Sequence, residues 1–154
     1  MSDGAKITFR KKDKLLDSIR RLAPAAEKEL TAAAQKSAGE MVSLARSFVP
    51  VKTGALRDSI VATPPGGSAP GYSQGGRLVP KGAYAITAGN AAVRYPHLVE
   101  YGTAAHLNAG QFAGSEHPGT SAQPFFWPAY RLTRKRHQSR ASRALTKSVK
   151  DAVK

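Results

Sequence analysis

The chain has 154 residues, of which 41% are hydrophobic, and 24 Lys and Arg against 10 Asp and Glu give a formal net charge of +14. It contains no cysteine, which excludes a disulfide framework and any cysteine-based metal site or nucleophile. The length suits a single domain, residues 1–154, with a modest core, and no apolar run approaches the roughly 18–20 residues that cross a bilayer.

In chain order, the segment Met1 to Lys14 is polar and lacks the apolar stretch of a signal peptide. Ile7-Thr8-Phe9 alternates briefly and predicts a short strand. Asp13 is a candidate N-cap for a first helix, in which Leu15, Ile19 and Leu22 share one face. Pro24 predicts the first turn of a second helix. From Ala25 to Phe48 the chain is rich in strong helix formers. Leu30, Ala34, Ser37, Met41, Leu44 and Phe48 define a narrow stripe with small residues, and Pro50 ends the helix.

Thr53-Gly54 predicts a turn, and Leu56 to Thr63 a strand. Residues 64–82 (PPGGSAPGYSQGGRLVPKG) hold too much Gly and Pro for a core element. They predict an exposed arm or strand-connecting loop that orders on assembly. Ala83 to Asn90 predicts a second strand. Tyr95 to Tyr101 predicts a short helix or turn closed by Gly102, and residues 103–123 a second Gly- and Ala-rich loop. A final helix is expected from Pro128 to Val153, with large apolar residues too sparse to bury it in a monomer core. The fold class expected is α+β: long N- and C-terminal helices packed on a small antiparallel sheet, with extended loops.

The charge is unevenly spread. Residues 1–60 hold 12 basic and 7 acidic side chains, and residues 61–128 hold 3 and 2. Residues 129–154 hold 9 and 1, a net of +8. A tail of this kind reads either as a contact with nucleic acid or an acidic protein face, or as a solvated helix that keeps the chain soluble. Arg131, Arg134, Lys135, Arg136, Arg140 and Arg143 are its candidate contact residues.

Reactive constellations are missing from the sequence. His97, His106, His117 and His137 have no metal-ligand spacing. There is no G-x-S-x-G, P-loop or G-x-G-x-x-G. Beyond residue 60 the only carboxylates are Glu100, Glu116 and Asp151, too few for a two-metal nuclease. No helix-turn-helix, zinc-finger or RNA-binding signature is present. No enzymatic activity, cofactor or metal is expected.

Two segments carry more information. The first is Val49-Pro50-Val51-Lys52-Thr53-Gly54-Ala55-Leu56-Arg57-Asp58-Ser59-Ile60. The second runs Tyr95-Pro96-His97-Leu98-Val99-Glu100-Tyr101-Gly102-Thr103, then His117-Pro118-Gly119-Thr120, then Gln123-Pro124-Phe125-Phe126-Trp127-Pro128-Ala129. In order and spacing, from about residue 15 to 135, the chain resembles the gene-product-ten-like tail-component family of long-tailed phages. That family is also described as neck or tail-completion proteins. The long 64–82 loop and the basic tail depart from the family pattern.

The resemblance implies a structural virion protein, made in the bacterial cytoplasm, that forms a ring, a hexamer by analogy. Such a ring joins the tail tube to the head as a connector, neck, tail-completion or tail-terminator subunit. Its implied partners are itself, a tail tube protein, a head-completion (stopper) protein and non-specific DNA in the channel, with no membrane. A non-specific nucleic-acid-binding protein using the basic helix is the alternative. Candidate packing or subunit-interface residues are Gly54, Leu56, Arg57, Glu100, Tyr101, Gly102, Thr103, Phe125, Phe126 and Trp127. Glu100 reads either as a partner for Arg57 or Arg94 of a neighbouring subunit, or as an exposed unpaired charge. The three aromatics read as an anchor of the last helix on the sheet, or as an intersubunit anchor.

Overall fold

A computed structural model describes residues 12–71 and 76–153. The expected strand at Ile7–Phe9 lies outside them. The first element is one helix, α1, Lys12–Phe48, of 37 residues and about 56 Å long at 1.5 Å per residue. The two helices expected on either side of Pro24 are therefore continuous, and Asp13 falls inside the helix rather than at its cap. Pro24 costs one intrahelical hydrogen bond, but Leu22, Ala23, Ala25, Ala26 and Glu27 around it are strong helix formers that carry the helix across.

After α1 the chain turns at Gly54, which adopts a left-handed φ of 85°. It then forms a single helical turn, α2, Ala55–Asp58. The strand expected from Leu56 is thus confined to β1, Val61–Thr63. The strand expected at Ala83–Asn90 shortens to β4, Ala85–Thr87. These two pair antiparallel, with Ala62 opposite Ile86. Between them, β2 (Ser68–Ala69) and β3 (Arg77–Leu78) form a hairpin. Buried Ala69 and Val79 seat its base, and the Val79 N–H donates to the Gly67 carbonyl at 2.9 Å. The described parts of the 64–82 segment, residues 64–71 and 76–82, therefore have structure of their own.

Next comes α3, Pro96–Tyr101, ending at Gly102. A second hairpin, β5 (His106–Leu107) with β6 (Glu116–His117), occupies the 103–123 loop. The last helix, α4, runs Phe126–Val153. The architecture is α+β, with three small two-stranded antiparallel sheets among the described residues.

The core lies where α1, α2, β4 and the start of α4 meet. Met41, Ala45, Val49, Leu56, Ile60, Val93, Phe125 and Ala129 form it, with Ile86, Val99 and Phe126 against its edge. The buried face of α1 runs through Ala33, Ser37, Ala38, Met41 and Ala45, while Phe48 is left half-exposed. The expected stripe through Leu44 and Phe48 is therefore rotated toward the alanines. Small residues let α4 lie close along α1.

Contrary to the expectation from its sparse apolar content, α4 does pack within the monomer. It uses Ala129, Thr133 and Ser148, all buried, and ion pairs. Arg136 and Arg140 both reach Glu40, Arg140 at 2.8 Å. Lys147 reaches Glu29 at 2.7 Å. The Arg140 hydrogen bond holds the Glu40 carboxyl below its ordinary value, and the charges of Arg136 and Arg140 add to this against the opposing effect of desolvation. A depressed carboxylate contributes stability that is present above its ordinary value and lost as pH falls through the folded one. Acidification below about pH 4.5 is therefore expected to loosen α4 from α1, since 4.5 is the ordinary value for this carboxyl. The partly exposed pair makes the loss small, about 1 kcal/mol. Urea midpoints measured against pH should fall less steeply below that point in Glu40→Gln than in wild type.

Candidate functional site

The two motif segments converge on one end of the molecule. The chain after α1 (Pro50 to Leu56), the face of α3 and the root of the β5–β6 hairpin enclose an open groove of about 760 Å³. Its apolar lining comes from Pro50, Val51, Leu56, Tyr95, Leu98 and Val99. Val51 is 60% exposed, and Tyr95 and Leu98 are about two-fifths exposed. Lys52 is the single formally charged residue in the lining.

The root of the hairpin is closed by a bridge between Thr103 and Thr120. Each residue's N–H donates to the other's carbonyl at 3.0 Å, and their hydroxyls lie 3.0 Å apart. Gly102 and Gly119 flank the bridge. A Cβ on Gly102 would lie 2.5 Å from the Thr120 carbonyl oxygen, and one on Gly119 would lie 2.5 Å from that of Thr103. The strands meet this closely because neither glycine has a side chain. Further out, His106 stacks on His117 with ring centroids 5.1 Å apart. The Asn108 N–H donates to the Ser115 carbonyl at 2.9 Å. A 3-10 turn, Gly110–Phe112, forms the tip. Leu107 and Phe112 stand 73% and 63% exposed.

Glu100 is the largest departure from expectation. It is not the exposed charge of the second reading: only 6% of it is accessible, and within the chain its partners are backbone N–H groups rather than Arg57 or Arg94. Arg57 instead contacts the adjacent Asp58 at 3.3 Å, and Arg94 donates to the Ala91 carbonyl. The Glu100 carboxylate accepts the N–H groups of Phe125, Phe126 and Trp127 at 2.9, 2.8 and 3.1 Å. It is the cap of α4, supplied from 25 residues upstream. The first turn of a helix presents N–H donors with no partner of their own and a partial positive charge, so a buried carboxylate is stabilised there.

The remaining candidates divide. Phe125 is 1% exposed and anchors α4 in the core. Leu56 is in the core and also lines the groove. Trp127 stays 43% exposed, edge-on to Phe126 and Tyr130, and its indole N–H donates to the Tyr101 hydroxyl at 2.6 Å. On α4, Arg136 and Arg140 are occupied by Glu40. Arg131, Arg134, Lys135 and Arg143 are exposed, Arg134 at the edge of the cleft between α1 and α4. None of these four has an acidic partner among the described residues.

Two contacts had no signal in the sequence. The Arg46 guanidinium donates twice to the Ile60 carbonyl, at 3.1 and 2.8 Å, tying α1 to the start of β1. The Ser59 hydroxyl accepts the Gly89 N–H at 3.0 Å.

Among the described residues, no group of three His, Cys, Asp or Glu side chains is placed to hold a metal ion. No described helix is long and apolar enough to cross a membrane. What the surface offers is shape: an apolar groove beside a projecting hairpin with an apolar tip. A family model described as "Bacteriophage HK97-gp10, putative tail-component" matches residues 13–102. The chain belongs to this HK97-gp10-like phage tail-component family, and with it to the structural proteins of the virion. No curated protein and no solved structure matches the chain.

Proposed function

We propose that the chain is a ring-forming subunit at the neck of a tailed phage or phage-like particle, a tail-completion or terminator-like protein that joins the tail tube to the head. The observation that carries this reading is the pairing, on a tail-component chain, of an open apolar groove with an arm that exposes Leu107 and Phe112. Contiguous apolar surface left open on a small soluble chain marks a contact with other protein. Arm and groove are different surfaces, so a contact between them is heterologous. Repeated by a rotation that closes, such a contact gives a ring rather than an open filament, and a ring of six copies is proposed. The tail tube protein and a head-completion protein are the proposed neighbours above and below. The test is twofold. Purified protein should sediment as a closed oligomer, and particles lacking it should accumulate heads and tails that do not join. A protein that stays monomeric, with particles that still join, sinks the reading.

A second reading is favoured by one observation: Arg131, Arg134 and Lys135 are exposed on α4 and have no acidic partner among the described residues. They suit sequence-independent contact with DNA phosphates, in the ring's channel or on the free protein. Replacing all three with serine should lower the slope of log affinity against log salt by about 2–3, at roughly 0.9 per lost phosphate contact. An unchanged slope places the DNA contact elsewhere. The Arg136 and Arg140 changes serve as the comparison, since both bind Glu40.

A further inference from the structure

We propose that the hairpin running from Thr103 to Thr120 of one copy seats Leu107 and Phe112 in the groove of the next copy, with Glu116 of the arm against Lys52 of the groove. This rests on the ring reading and names the contact that would build the ring.

The arm is preformed. The Thr103–Thr120 bridge, the His106–His117 stack and the Asn108–Ser115 hydrogen bond hold it from root to tip. Little ordering entropy remains to be lost on docking. Its own groove is closed to it. Thr103, His106, His117 and Thr120 form one wall of that groove, so the tip projects from the wall, and folding it back would break the bridge. A second copy has no such constraint. The groove, at about 760 Å³, falls within the roughly 300–1,000 Å³ range of pockets that accept a compact apolar body. Leu107 and Phe112 are the arm's two exposed large apolar side chains, and an aromatic anchor in a water-excluding pocket commonly dominates an interface.

Charge selects the occupant. Between residues 103 and 123 the arm carries one formal charge, Glu116. Lys52 is the one formal charge in the groove lining. Both are exposed, and neither has an ion-pair partner among the described residues. The rival occupant is the β2–β3 hairpin, whose Leu78 is 69% exposed. It would bring Arg77 and Lys81 toward Lys52. Like charges set against each other in an interface are unfavourable.

The full chain tests this by sedimentation equilibrium and native mass measurement. Phe112→Asp is expected to weaken self-association at least tenfold while leaving the melting temperature of the monomer unchanged, because the side chain is exposed. Lys52→Glu and Glu116→Lys should each weaken association, and the two changes together should restore most of it. The chain has no cysteine, so Val51→Cys with Phe112→Cys in one chain should give a ladder of covalent multimers under mild oxidation. Either change alone should stop at dimers. If wild type is monomeric at every concentration, the ring reading itself falls. If wild type forms rings and neither Phe112→Asp nor the charge reversals disturb them, the ring stands and the arm contact is wrong. Dissociation by Leu78→Asp but not by Phe112→Asp overturns the proposal in favour of the other hairpin.

Discussion

Glu100→Ala is expected to lower the unfolding free energy by about 2–4 kcal/mol, because a buried carboxylate that accepts several N–H groups is worth more than an ordinary helix cap. The three N–H donors at the start of α4 are held by this one side chain. Alanine would leave donors beside fully covered Phe125 without acceptors, and an orphaned buried donor carries its whole desolvation cost. It would also remove the negative charge that faces the positive end of a 28-residue helix. Glu100→Gln keeps an oxygen acceptor and drops the charge, so its loss should be intermediate. Urea unfolding followed by far-UV circular dichroism gives both values. A loss under 1 kcal/mol for alanine would mean that the cap is replaced locally or by water.

Gly102→Ala is expected to cost about 2–3 kcal/mol, from backbone strain and from a steric clash that the fold cannot relieve cheaply. Gly102 sits at φ 73° and ψ −177°, a region that side-chain-bearing residues scarcely enter. A Cβ there would meet the Thr120 carbonyl oxygen at 2.5 Å and the Ala122 nitrogen at 2.8 Å, both backbone atoms. Relief would require opening the Thr103–Thr120 bridge. Hydrogen exchange at the Thr103 and Thr120 amides should therefore accelerate together with the fall in melting temperature. If the melting temperature falls and those amides stay protected, the strain is absorbed in α3 instead.

Composition and period made the helices legible in the sequence. The sheet was harder to read, because strands of two or three residues are too short for alternation to register. Leu56 looked like a strand residue, yet Gly54 starts a helical turn there and Ser59 closes it. At Pro24 the expected break failed because a single proline is outweighed by helix formers on both sides. The groove was half visible: its lining comes largely from the two motif segments, but their meeting in space depends on turns that no periodicity encodes.

Glu100 left a readable trace of a different kind. Residues 121–125, Ser-Ala-Gln-Pro-Phe, place no Ser, Thr, Asp or Asn next to the start of α4. A helix without a local cap must take an acceptor from elsewhere. Between residues 61 and 128 only Glu100 and Glu116 are carboxylates. The pairing of Glu40 with Arg136 and Arg140 had no such trace, since α1 and α4 offer several acids and bases with nothing to choose among them.

The clasp between the two long helices has a consequence for how the molecule comes into being. Arg140 and Glu40 are 100 positions apart, and α1 shares more of its surface with α4 than with any strand. Contacts so distant along the chain form slowly, because a long loop must close before they stabilise anything. During synthesis, the alanine face of α1 waits uncovered until residues near 140 have emerged from the ribosome. Glu100 waits too, with no helix start to hold until Phe125 to Trp127 arrive. A chain that stops short of Phe125 thus has neither the helix that covers this alanine face nor the N–H groups that hold Glu100.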